Sequence, residues 1–415
     1  MTLDAVLATS LATSLATSLA TSLSGIRVLD ASRVLAGPFA AQVLADLGAD
    51  VIKVEQPGAG DETRGWGPPF LGRPEAGLSA YFLACNRGKR SVTLDLKKPA
   101  GRDLFLRLAA RSDVVLENFR PASAGALGLT PKDLHAVNPR LVICSISGFG
   151  RSGSAADRPG YDFVIQGMSG MMAATGPAAG PPSKVGVATA DVTTGLYTAI
   201  AALAGLHSRG AAGEGVAVEI ALLDSAVASM VNLAQAYLTS GKVPARQGNA
   251  HLQIVPYQLF ATSDGHLVLA VGNDAQWQRF CQAAAKPALA AEPRYKANVD
   301  RVRHRGELVA LVEGIMRELS TADWEERLAR VGVPCGPVWD FQQLFASPLA
   351  AERGLKITAR RPDGTPVDLV ASPLARPISE DIAPPALGEH TDAVLTEVLG
   401  LTPEVIEHLR LGGVL

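Results

Sequence analysis

The chain has 415 residues, 38 of them basic, 40 acidic and 47% apolar. That length exceeds one ordinary core and predicts two domains. The formal net charge of −2 gives no electrostatic ground for a nucleic-acid or membrane-surface partner. Cys85, Cys144, Cys281 and Cys335 form no CxxC pair and no metal-ligand spacing. They read as buried thiols of a reducing cytoplasm, and no metal site is expected. No apolar run reaches about 18 residues, so no membrane span is predicted.

The first feature along the chain is a repeat. Leu7 to Ser22 is LATS four times over. A period of four leaves the leucines drifting round a helix that turns every ~3.6 residues. The repeat has neither the basic start of a secretory signal nor the arginines of a transit peptide. Residues 1–24 therefore read as a low-complexity extension outside the folded domain, and the cytoplasm is the expected compartment.

From Gly25 short apolar strands alternate with helices. IRVLD, DVIKVE, SVTLDL, DVVLEN and LVICSI read as strands, PFAAQVLADLG and AGRDLFLRLAAR as helices between them. The alternation predicts an α/β fold with a parallel sheet covered on both faces. VAVEI (Val216 to Ile220) reads as one more buried strand, and ALLDSAVASMVNLAQAYLTSG as one helix stopped at Gly241. YQLFATSDGHLVLAVG predicts a hairpin turning at Asp264-Gly265. DAQWQRFCQAAA and STADWEERLARVG read as amphipathic helices, the second with a Ser or Thr cap. The predicted boundaries are 25–225 for a large domain, 226–246 for a connecting helix and linker, and 247–340 for a smaller α+β domain. RPDGTPVDLVASPL and TPEVIEHLRLGGVL predict a last hairpin and a closing helix within 341–415.

Several stretches carry candidate chemistry. The loop Ser32 to Pro38 joins a strand to a helix without the GxGxxG fingerprint, so a nicotinamide dehydrogenase is poorly supported, although free helix N–H groups there suit an anion. NRGKRS (Asn86 to Ser91) is a solvated basic loop or a phosphate site. Asn118 follows a strand end, as a ligand contact or a turn former. Met168, Met171 and Met172 read as core fillers. In GVATADVTTGLYTAIAALAGL, Asp191 is the only charge, between a strand-like segment and a long helix. Local pattern favours an N-cap. The position also suits a nucleophile, held ionised by the helix start with ~0.3–1 kcal/mol.

Taken in order, GIRVLDASRVLAGPFAAQVLADLGADVIKVE, NRGKRSVTLDLK, DVVLENFRP, SGFG…RPGYD and ADVTTGLY resemble the family III CoA-transferases, the group that includes formyl-CoA transferase and carnitine CoA-transferase. The resemblance runs from Gly25 to the end. Arg246 to Asn273, with GVPCGPV (Gly332 to Val338), is most similar to the branch that moves CoA between succinate and glutarate. The resemblance implies a Rossmann-like large domain completed by 341–415, a small domain from the middle of the chain, and an interlocked homodimer. It makes Asp191 the catalytic aspartate, passing through an aspartyl anhydride and an aspartyl-CoA thioester. CoA or acyl-CoA is then a substrate, a carboxylic acid is the acceptor, and no tightly bound cofactor is implied.

By the same resemblance Val34, Leu35, Ala36, Asn86, Lys89, Arg90, Asn118 and Phe119 match the CoA-contacting segments. Formyl-CoA transferase has Gln at the position of Leu35, Arg at Ala126 and Lys at Ser147, so those contacts are replaced or lost here. Its glycine-rich covering loop has no clear counterpart around NAHLQIVPYQ. The related α-methylacyl-CoA racemase has a histidine at the position of Tyr161, and a tyrosine, whose phenol ordinarily titrates near about 10, is a poor base at neutral pH. Transfer is thus expected over a racemase-type isomerase; a non-catalytic CoA-binding protein is the other rival. Tyr161 is a candidate partner for a reacting carboxylate. Arg246 and His251 are candidates for the acceptor's distal carboxylate.

Overall fold

The computed structural model describes residues 19–375 and 381–415. The chain forms two compact units. The large unit comprises the chain through Ser169, Gly186–Val231 and Ala350–Leu415, and the small unit comprises Gly170–Val185 and Asn232–Leu349. The small unit therefore takes in Gly170–Val185, which the sequence boundaries assigned to the large domain, and the return falls at Ala350 rather than at 341.

In the large unit, runs of Val, Ile and Leu build one sheet from β1 (Arg27–Ala31), β2 (Asp50–Glu55), β3 (Lys89–Thr93), β4 (Val114–Glu117), β5 (Val142–Ser147) and β6 (Ala217–Ala221). The order is β3-β2-β1-β4-β5-β6, and every pairing is parallel. Because strand side chains alternate, Leu29, Ile52, Val115 and Ile143 pack on one face with Leu104, Val394 and Ile406. Val28, Val51, Val114 and Val142 pack on the other with Leu44, Ala199 and Ala202. β6 departs from the expected buried strand. It is the sheet edge, and only Ile220 and Ala221 of it are buried.

Three helices of this unit shape the site: α1 (Ala36–Asp46), α2 (Asp162–Met168) and α3 (Thr189–Ala212). No strand precedes α3, against the strand-like reading of its approach. The helix expected to run unbroken to Gly241 is two, Leu222–Ser229 and Val231–Ser240. They break at Val231, whose φ of 35° lies outside the helical region, at the boundary between the units. The last LATS repeat is not outside the fold: Ala20 and Leu23 are buried, and Leu23 N–H donates to Leu47 O at 2.9 Å. The earlier repeats lie outside the described residues.

The small unit is built on β7 (Tyr257–Ala261), β8 (His266–Ala270) and β9 (Cys335–Pro337), all antiparallel. Its core stacks Trp277 on Phe280 and Phe280 on Trp324, with ring centroids 5.7 and 6.4 Å apart. Ser320 caps the second amphipathic helix, as its sequence predicts, and Asn273 caps the first. The hairpin of β10 (Lys356–Arg360) and β11 (Pro366–Val370) returns the chain to the large unit. Of the three methionines read as core, Met171 is buried, but Met168 is half exposed. Cys85, Cys144 and Cys281 are buried thiols, and Cys335 is partly so. Among the described residues no helix is long and apolar enough to cross a membrane, and no His, Cys, Asp and Glu cluster suits a metal.

Candidate active site

The sheet order reverses between β1 and β4, so the loops after these two strands open on one crevice, the place where such sheets bind ligands. The Asn118 amide ties the loops together. Its Oδ1 accepts from Arg33 N–H at 3.2 Å, and its Nδ2 donates to Arg33 O at 2.9 Å. A cavity of about 310 Å³ lies there, lined by Val34, Leu35, Ala36, Asn118, Phe119, Tyr161 and Asp191. Stretches from four separate parts of the sequence thus meet around one carboxylate. A neighbouring cavity of about 710 Å³ runs over the ends of β1 and β2. The two share Arg33, Glu62, Phe119 and Arg120.

Asp191 is not the cap of α3. The helix begins at Thr189 with Ala188 before it, and Asp191 is its third residue. The capping carboxylate is Asp162 at the start of α2. Its Oδ1 accepts from Ala190 N–H at 2.8 Å and from Asp191 N–H at 3.4 Å, while Oδ2 accepts from Gln166 at 2.7 Å. With the cap supplied from elsewhere, the Asp191 side chain is free for other work. It is 8% exposed, lines the cavity, and receives no hydrogen bond from the described residues.

That isolation has an electrostatic consequence. Desolvation first, and the neighbouring Asp162 charge second, push the Asp191 carboxyl up from 3.8 to about 7. The difference is worth about 4 kcal/mol, against ~0.3–1 for a helix start. Burial therefore outweighs the helix, and the expectation that α3 keeps Asp191 fully ionised at neutral pH is corrected. Tyr81 is pushed up to about 12 by burial and then by the Asp191 charge, which puts its phenol within electrostatic reach of the site.

The cavity also holds complementary charge. Arg120 and Arg158 line it, and neither pairs with a carboxylate of the described residues; Arg158 lies over the Phe149 ring at 4.8 Å. The backbone N–H groups of Leu35, Ala36 and Gly37, at the start of α1, have no acceptor among the described residues. Leu35 and Ala36 line the cavity. Free N–H groups at a helix start are preorganised donors for negative charge.

Not every sequence candidate is found there. Lys89 is fully buried and bonded to Asp30 at 2.9 Å, Pro38 O at 2.8 Å and Asn86 at 2.9 Å. Asn86 is equally buried and donates to Phe82 O at 2.9 Å. Arg90 commits its fork to Asp50 and Glu397. None of the three lines either cavity. The Lys89 and Arg90 cations are spent on carboxylates inside the unit, unlike the solvated loop or phosphate site that NRGKRS suggests. Arg246 belongs to the small unit, where its guanidinium donates to Gly180 O at 2.6 Å, Pro177 O and Ala173 O. His251 there accepts from Gln253 N–H at 3.1 Å and lies against Tyr257. Leu35 and Ser147 line the Asp191 cavity and Ala126 the neighbouring one, so the three departures from formyl-CoA transferase all fall on cavity walls. Asp162, Arg120 and Arg158 escaped the sequence reading, although Arg158 and Asp162 bracket the quoted RPGYD.

The fold is that of an α/β protein with a crevice at the switch point of its parallel sheet, where a carboxylate, free N–H groups and two cations unpaired among the described residues meet. A family model described as CoA-transferase family III matches residues 23–391. The chain is 44% identical over 380 residues to a succinate–glutarate CoA-transferase of Agrobacterium fabrum, covering 90% of this chain and 95% of the relative. It is 41% identical over 394 residues to a succinyl-CoA:glutarate CoA-transferase of Homo sapiens, covering 94% and 89%. A crystal structure of a CAIB/BAIF family protein from Brucella suis matches with a TM-score of 0.78 at 43% identity, covering 91% of this chain and 99% of that one. The chain belongs to CoA-transferase family III.

Proposed function

We propose that the protein moves CoA from succinyl-CoA to a short dicarboxylic acid, with glutarate the acceptor suggested by the relatives' names. The observation that carries this reading is the Asp191 carboxylate, buried, unpartnered among the described residues and lining the crevice at the sheet's switch point.

An Asp191 oxygen attacks the thioester carbonyl, the C–S bond breaks, and CoA thiolate leaves a mixed anhydride. The thiolate attacks Cγ of Asp191, the anhydride C–O bond breaks, and the donor acid departs, leaving an aspartyl-CoA thioester. A carboxylate oxygen of the acceptor attacks the same Cγ and releases the thiolate. The thiolate then attacks the acceptor's carbonyl, giving its CoA ester and free Asp191. Each step exchanges one activated acyl bond for another. Each tetrahedral state carries an oxyanion, for which the N–H groups of Leu35 and Ala36 are the donors we assign.

Val34, Leu35, Ala36, Asn118 and Phe119 are placed to meet CoA, and Tyr161 to hydrogen-bond a reacting carboxylate. Arg120 and Arg158, rather than Arg246 or His251, are our candidates for the substrates' anionic groups. No tightly bound cofactor is needed for these steps. We further propose a homodimer, because Phe163, Leu196 and Ile200 expose between 44% and 59% of their surface on the helices of the large unit. We place it in the cytoplasm, where its free thiols are stable. Rates with glutarate and butyrate as acceptors test the substrate reading. Glutarate is expected to win by at least about tenfold in kcat/KM, as a paired second carboxylate requires. Equal rates would reject a distal-carboxylate site.

A further inference from the structure

On the wall of the cavity that adjoins the Asp191 cavity lies a buried ion pair that the transfer chemistry does not use. Lys53 and Asp61 are both fully buried and paired at 3.0 Å. A buried pair costs desolvation that its own attraction seldom returns, so what else the pair holds is informative. Lys53 Nζ also donates to Ser32 O at 3.0 Å. The Asp61 carboxylate accepts from Val34 N–H, 3.3 Å from each oxygen, and from Thr63 N–H and hydroxyl at 3.0 and 2.8 Å. Both groups therefore reach the loop that carries Val34 into the cavity.

That loop needs holding. Val34 has φ 73°, in the left-handed region that a β-branched residue avoids. Such a conformation persists only where its surroundings over-determine it. Here Asp30 accepts from Ser32 N–H, Lys53 holds Ser32 O, Asn118 holds both backbone groups of Arg33, and Asp61 holds Val34 N–H. Five consecutive backbone groups are bound by side chains from outside the loop. The next residues, Leu35 and Ala36, whose N–H groups have no acceptor among the described residues, line the same cavity as Asp191.

We propose that the Lys53–Asp61 pair is a positioning device, which holds the strained Ser32–Val34 backbone so that Val34, Leu35 and Ala36 face the acyl-CoA. The inference rests on the reading of the Asp191 cavity as the place where acyl-CoA reacts. A glycine at residue 34 adopts the same φ without strain, so the demand on Asp61 should fall when Val34 is replaced.

The test is a double-mutant cycle on Asp61→Asn and Val34→Gly, read by CoA binding in calorimetry and by KM for succinyl-CoA and for acceptor. Asp61→Asn alone is expected to weaken CoA binding and raise the succinyl-CoA KM about tenfold, leaving the acceptor KM unchanged. In the Val34→Gly background the same change is expected to cost about threefold or less. Equal losses in both backgrounds, or a fall in kcat that only tracks the folded fraction, would overturn the proposal. If Asp61→Asn does not fold, the same cycle with Lys53→Gln decides by the same criterion. A wild-type protein that bound no CoA would overturn the underlying reading of the cavity instead.

Discussion

Asp61 and Asp191 are buried carboxylates of the same unit, and each lies against one of two adjoining cavities. They titrate in opposite directions. Burial raises both, but at Asp61 the Lys53 charge and the hydrogen bonds of Thr63 more than offset it and hold the carboxyl below its ordinary range. Asp191 has no such partner among the described residues and rises to about 7. Asp30 resembles Asp61: against full burial, Lys89, Lys53 and Ser32 keep it low. The difference separates a carboxylate used to hold backbone from one kept free to react. Depth alone does not tell them apart; the partners do.

The comparison is broken most severely by removing the reactive member. Asp191→Ala is expected to lower kcat at least about a thousandfold, the scale seen when a covalent nucleophile is lost, while Asp191→Asn keeps the shape and loses the same activity. A steady-state assay with succinyl-CoA and glutarate checks both.

Titration sharpens the contrast next. Only ionised Asp191 attacks, so kcat/KM of the free enzyme should fall about tenfold per pH unit below about 7 and level off above it. A flat profile from about pH 6 to 8 would mean that the carboxylate is partnered after all. Asp162→Asn removes the like charge while keeping an acceptor for the start of α3. It should move the acid limb to lower pH, with little loss of the plateau rate.

Stability gives a smaller effect of predictable sign. A group bound to its proton more tightly when folded contributes most at low pH, and that contribution is lost as pH rises from 3.8 through about 7. Asp191→Asn should therefore stabilise the fold by up to about 4 kcal/mol, and so raise the melting temperature more at about pH 8.5 than at about pH 5.5. Asp61 has the opposite sign, its contribution being present at neutral pH and lost on acidification. Smallest of all, Asp162→Ala should cost about 1 kcal/mol through the lost cap of α3. Thermal melts at the two pH values check both substitutions.

Much of this was legible in the chain. β1, β2, β4, β5 and α1 announced themselves by short, mostly apolar runs and helical spacing, because burial on both faces writes itself into residue type, whereas β3 lies at Lys89–Thr93, ahead of the SVTLDL run that suggests it. Val34, Asn118, Tyr161 and Asp191 stood in quotable motifs and do converge on one cavity. What was hidden is partnership across the sheet. Lys89 and Arg90 look like ligand-binding cations in NRGKRS, yet their carboxylates lie 59 and 40 residues away in sequence, at Asp30 and Asp50. The cap of α3 likewise comes from Asp162, on another helix, so a local rule assigned it to Asp191. The edge position of β6 is a property of sheet order, which no single strand encodes.

The most direct measurement is mass spectrometry of the protein quenched during turnover with succinyl-CoA and digested to peptides. A CoA adduct in thioester linkage is expected on the peptide bearing Asp191 and absent from Asp191→Asn. An enzyme turning over at full rate with no adduct on that peptide would contradict it.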